Sequence, residues 1–167
     1  MARRIAQPTI RAREILRLHH ETYPVFWEWS QAQLDRAMLY CSLQTVFGWP
    51  IRVVAGANPR SLRNFPMQGN GSEMLRLACC LATERGIEVC CPVHDALLIL
   101  APLDQLEADI ATAREAMREA SRLVLKNFEL TTGTTTVEYP NRYADKRGAE
   151  MWNKVMAILA RSTAEAA

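Results

Sequence analysis

Residues 87 to 100 read "IEVCCPVHDALLIL", an apolar run interrupted at its centre by His94 and Asp95. Each flank has the length and the β-branched, apolar content of one strand, and a polar pair between them reads as a turn. This predicts two antiparallel strands meeting at a His-Asp tip, and it commits the chain to an architecture that can cover such a hairpin with helices.

The flanking sequence supplies them. Pro8 and Thr9 open "IRAREILRLHH", with Ile10, Ile15 and Leu18 as an apolar stripe, and Pro24 opens a second helix, "VFWEWSQAQLDRAM". "YCSLQTVFGWPIRVV" reads as two short strands joined at Gly48 to Pro50, and "AGANPRSLRNFPMQGNG" as an irregular, glycine- and proline-rich connection. A helix over "SEMLRLACCLATERG", capped by Ser72 or Asn70 and stopped at Gly86, precedes the His-Asp hairpin. After it, Asp104 caps a long helix with Leu106, Ile110, Ala113, Met117, Ala120 and Val124 on one side. "FELTTGTTTVEY" reads as a Thr-rich strand, and "YADKRGAEMWNKVMAIL" as a closing helix with a frayed tail. The fold class expected is α+β: helices packed on a small antiparallel sheet with one prominent β-hairpin.

At 167 residues and 49% hydrophobic composition, the chain suits a single domain over 1–167, with a helical hairpin and β-hairpin in 1–63, a core in 64–139 and a C-terminal helix in 140–167. No apolar run approaches the roughly 20 residues of a membrane span, and "MARRIAQPTIRAREIL" lacks the apolar region of a signal peptide, so a cytoplasmic location is expected. Cys41, Cys79, Cys80, Cys90 and Cys91 have no zinc-type spacing and read as buried, reduced side chains. Trp27, Trp29 and Trp49 read as core packing in preference to base stacking. Residues 1–63 carry nine arginines against four acids, whereas 64–139 carry six bases against eleven acids. Arg3, Arg4, Arg11, Arg13 and Arg17 suit a solvated helix face, while Arg60 and Arg63 form a second basic cluster.

"RSLRNFPMQGNGSEMLRLA", followed after one helix and one strand by "PVHDALLIL", resembles the C-terminal fingers and palm portion of a family A DNA polymerase, the bacterial DNA polymerase I type. "YPVFWEW" and "VFGWPIRV" resemble the segments before that arginine, and the likeness runs in order over residues 12 to 156. The resemblance implies a partial polymerase palm, with Asp95 as the motif C carboxylate that holds catalytic Mg²⁺ and His94 beside the primer terminus. It implies that Arg60, Asn64 and Gln68 touch the primer-template, partly in the minor groove; Arg63 beside them reads either as a further DNA contact or as a solvated side chain. Two metal ions stabilise the attacking and leaving oxygens of an in-line displacement, and an Asp on a rigid tip suits one of them. Asparagine and glutamine can donate to the minor-groove acceptors common to all base pairs, which tests pair shape without reading sequence.

Departures from the pattern shape the expectation. Ala96 stands where the family has a glutamate, Asn70 where it usually has threonine, and neither "DxSxxELR" of motif A nor "RxxxKxxxxGxxYG" of the fingers helix occurs in the chain. The resemblance thus implies a polymerase piece that begins just after the fingers helix, holds one metal ligand, and is inactive alone. Deoxynucleoside triphosphate would bind only if a missing motif A and fingers part were supplied. The alternatives are a non-catalytic remnant that binds DNA or a protein partner, and a small α+β interaction protein in which faces normally covered drive homo-oligomer formation.

Overall fold

The computed structural model describes residues 8–145 and 147–165, with side chains through Arg161. It divides into two compact units, the first ending at Thr132 and the second beginning at Gly133.

The first unit opens with α1 (Thr9–Thr22) and α2 (Pro24–Tyr40). Pro24 sits in the first turn of α2, where its missing N–H has no intrahelical partner to lose. The two helices meet through aromatic side chains: Trp27 Nε1 donates to His19 Nδ1 at 3.0 Å, and His20 stacks on Trp27 with ring centres 3.7 Å apart. The first hairpin pairs β1 (Ser42–Gln44) with β2 (Pro50–Arg52) in the register Leu43 opposite Ile51. Arg11 with Glu14 and Arg17 with Glu21 form exposed ion pairs along α1, as a solvated face would. Arg3 and Arg4 lie outside the described residues.

The helix α3 (Pro59–Glu84) runs unbroken for 26 residues, about 39 Å at 1.5 Å per residue. This corrects the expected loop over "AGANPRSLRNFPMQGNG" and the expected cap at Ser72 or Asn70. The cap is Asn58, whose Oδ1 accepts from the Arg60 backbone N–H at 2.9 Å, and Pro59 fills the first turn. Pro66 and Gly69 count against a helix by propensity, yet Leu62 and Pro66 are buried and Phe65 packs on the cluster Ala37, Leu43, Val53 and Leu62. Burying an aliphatic side chain of this size contributes about 1.5–3 kcal/mol, comparable to the roughly 3 kcal/mol helix penalty of one proline. Tertiary packing wins.

At Gly86, with φ +83°, the chain reverses into β3 (Glu88–Val93) and β4 (Ala96–Leu100), antiparallel with a bulge between Val89 and Cys91. Val89, Leu97 and Ile99 pack on a second cluster made of Ala82, Ile87, Ala113 and Ala116, which joins α3 to α4 (Leu106–Val124). Ala113, Ala120 and Val124 are buried as their spacing predicts, but the helix is preceded by Gln105 and Asp104 does not cap it. The two hairpins are separate two-stranded sheets.

The second unit contains α5 (Ala149–Glu165), which continues through most of the tail expected to fray. The Thr-rich segment 128–139 is not a strand. A strand needs a hydrogen-bonding neighbour, and each described sheet consists of one hairpin. The cysteines are free but not core: Cys41, Cys80, Cys90 and Cys91 are exposed, the last two because the bulge spreads them along the strand's open side. Trp29 and Trp49 are exposed too, and Trp27 is half-buried. Ile10 is exposed, and Ala12 is the residue that α1 buries. Periodicity marks a side as apolar but does not say whether a neighbour covers it. No described helix is long and apolar enough to cross a membrane.

Candidate nucleic-acid interface

Arg60, Asn64 and Gln68 follow one another at four-residue spacing on α3, so they form one stripe along the helix. All three are exposed, and among the described residues none of their side chains is engaged in a hydrogen bond or ion pair within the chain. Arg63, on the next face, donates to Gln31 Oε1 on α2. Asn70 is drawn into structure instead, its Oδ1 accepting from the Val46 N–H at 2.9 Å.

The side of α3 that is buried changes along its length. The first half turns Leu62, Phe65 and Pro66 to the first hairpin and α2, whereas the second half buries Ala78 and Ala82. Ala78 lies eighteen positions after Arg60 and Ala82 eighteen after Asn64, which is about five full turns. The polar stripe therefore faces the same side of α3 as the His-Asp hairpin and α4.

His94 and Asp95 form the two-residue turn between β3 and β4, both exposed. His94 holds φ +58°, a left-handed conformation that costs a non-glycine residue on the order of 1 kcal/mol. Neither side chain takes part in a hydrogen bond or ion pair among the described residues. No group of three or more His, Cys, Asp or Glu among them could hold a metal ion. Asp95 offers one carboxylate, so the described residues do not fit a complete two-metal centre.

Beside the stripe lies a feature that the sequence reading did not single out. The turn of the first hairpin docks on the middle of α3, leaving a cleft of about 510 Å³ lined by Thr45, Trp49, Phe65, Gln68, Ser72 and Arg76. At its floor Glu73 is 3% exposed, accepting from Thr45 Oγ1 at 2.7 Å and from the Arg76 guanidinium. These two hydrogen bonds, Thr45 first, hold the Glu73 carboxyl below the ordinary carboxylate range. Thr45 Oγ1 in turn accepts from the Trp49 N–H at 3.0 Å, and the Arg76 guanidinium lies over the Trp49 ring, 5.3 Å from its centre. The signal available in the sequence was an acid in the middle of an apolar helical pattern, three residues before an arginine.

The fold and the site together define a class: an α+β, palm-like piece in which a long helix with a polar stripe faces the same side as a hairpin tipped by a carboxylate. No family model matches the chain. In sequence it is 25% identical over 138 residues to the thermostable DNA polymerase I of Thermus thermophilus, a match that covers 75% of this chain and 16% of that protein. In fold it is similar to the POL domain of Pol1 from M. smegmatis, solved in complex with DNA primer-template and dNTP. That likeness has a TM-score of 0.63 and 19% identity, and covers 71% of this chain and 24% of the other. The resemblance read from the motifs is borne out, and the chain spans about a quarter or less of the length of the proteins it matches.

Proposed function

We propose that this chain is a primer-template-binding portion of a DNA-directed DNA polymerase, in which Arg60, Asn64 and Gln68, with Arg63, grip the duplex. Asp95 would supply one ligand to the divalent metal of nucleotidyl transfer, and His94 would position the primer terminus. The observation that carries this reading is the stripe itself: three polar side chains at helical spacing, exposed and without internal partners, on the side of α3 that also carries the His-Asp hairpin. Asn64 and Gln68 suit minor-groove acceptors, and Arg60 suits phosphate. A bound divalent ion would supply charge stabilisation for the reacting oxygens. The chain's own part is to hold a carboxylate at a rigid tip and a duplex along α3. Incoming deoxynucleoside triphosphate would need the part that carries the remaining ligands and the fingers helix.

The test is fluorescence anisotropy with a primer-template duplex, alongside primer extension. Wild type is expected to bind and to add no nucleotides alone. Arg60→Ala and Gln68→Ala should each weaken binding about tenfold, the scale of 1–3 kcal/mol per good contact, while Asp95→Ala leaves duplex binding within twofold. Binding indifferent to Arg60 and Gln68 would sink the assignment of the stripe, and robust extension by the isolated chain would sink the claim that its metal site is incomplete.

A second reading, a non-catalytic DNA-binding remnant, is favoured by Ala96 beside Asp95. It separates from the first by complementation: a polypeptide carrying the missing carboxylate and fingers helix restores extension only under the first reading.

A further inference from the structure

The cleft between the first hairpin and α3 adds a second kind of contact to the duplex-facing stripe. We propose that it takes an unpaired base of single-stranded DNA, stacked against Trp49. The inference rests on the reading of the stripe as DNA-facing, because Gln68 belongs to both the stripe and the cleft wall.

The platform is built rather than incidental. Trp49 is 60% exposed although its backbone is held just after the turn, where its carbonyl accepts from the Thr45 N–H, so the fold presents the indole instead of burying it. Its backbone N–H is fixed by Thr45 Oγ1, Thr45 is fixed by Glu73, and Glu73 engages the arginine that lies over the ring. The turn can come this close to α3 because position 69 has no side chain. A Cβ there would stand 2.8 Å from Thr45 Cγ2. The result is an aromatic face and a guanidinium at the edge of an open cleft, with Gln68 and Ser72 as hydrogen-bonding groups on its wall. Every nucleobase has a π-face, so such a platform accepts any base, while a paired base inside a duplex has its faces covered by its neighbours. Arg76, half of whose side chain is exposed, has further guanidinium N–H groups beyond the nitrogen held by Glu73 with which to meet the strand's phosphate beside the ring. A template strand leaving the duplex held along Arg60 and Asn64 would meet this cleft at Gln68.

The experiment uses the full chain and three labelled DNAs: a blunt duplex, the same duplex with a single-stranded overhang, and an oligo-dT strand. Trp49→Ala is expected to weaken binding of the overhang and oligo-dT about tenfold, in line with alanine substitution at stacked bases, and to leave the blunt duplex within twofold. Trp49→Phe should recover most of the loss. In a variant with Trp27, Trp29 and Trp152 all changed to Phe, saturating oligo-dT should quench the remaining indole emission. Equal weakening on all three DNAs, no weakening on any, or an unquenched indole overturns the proposal. Blunt-duplex binding reports separately on the stripe: its insensitivity to Arg60→Ala overturns that reading and leaves this one to the single-strand arms. Failure to bind any of the three overturns both.

Discussion

Glu73 is a buried carboxylate with two donors, and its energetics have a definite sign. Its folded-state pKa lies below the ordinary 4.5, first through the Thr45 hydroxyl and then through Arg76. A depressed acid contributes stability in full above its unfolded pKa and loses it as pH falls from there through the folded value. Urea denaturation of wild type and Glu73→Gln should therefore show a gap that is constant from pH 7 down to about 5 and closes as the carboxylate is protonated. A gap unchanged down to pH 3 would mean that shape and not charge holds the hairpin turn to α3. None of this was legible beforehand, since the sequence shows an acid on a helix but not that a hairpin folds over it. Arg60, Asn64, Gln68 and the His94-Asp95 pair could be put forward as candidates, because each lies in a motif whose order along the chain can be matched without knowing the fold.

At the scale of elements, α3 shows where local rules give way. "NPRSLRNFPMQGNG" has the composition of a loop, and the rules that assign loops are about backbone preference. Packing of Leu62, Phe65 and Pro66 outweighs them, and one of the glycines is a packing requirement and not a break. The two helical glycines should consequently respond in opposite directions. Gly71→Ala meets nothing within 4 Å and should stabilise by up to about 1 kcal/mol through helix propensity. Gly69→Ala gains the same propensity but drives its Cβ into Thr45, and overpacking of about 1–3 kcal/mol should leave it less stable than wild type. Thermal denaturation of the two variants decides this, and equal stabilisation would show that the turn can retreat from α3.

The His-Asp hairpin was legible because its apolar flanks have strand length and its tip is polar, whereas the Thr-rich segment was misread because strand propensity says nothing about an available partner. The same gap concerns the hairpin's outer face. Leu97 and Ile99 point to the core, while Val93, Leu98 and Leu100 on the other side are half exposed or more. An open two-stranded edge with an apolar face favours association. Leu98→Lys should lower self-association in sedimentation velocity while changing unfolding free energy by no more than about 0.5 kcal/mol. A large loss of stability would place Leu98 in the core after all.

For the whole molecule, the charge distribution would govern the proposed binding of DNA. The net charge is only +2, but the surplus lies in the N-terminal third, and residues 64–139 carry more acids than bases. Within α1, Arg11 and Arg17 are tied to glutamates, whereas Arg36, Arg52 and Arg60 have no ion pair among the described residues. A duplex held as proposed is therefore expected to meet the arginines between residues 36 and 63. Each phosphate neutralised adds about 0.9 to the slope of log affinity against log salt. Arg60→Ala should flatten that slope by about 0.9, while Gln68→Ala, an uncharged contact, should lower affinity at every salt concentration and leave the slope unchanged. Arg17→Ala should alter neither. Anisotropy titrations from 50 to 200 mM salt, about the range over which such slopes are resolved, separate these outcomes. A slope lost with Arg17 rather than Arg60 would move the phosphate track from α3 to α1, and with it the orientation of the duplex relative to Asp95.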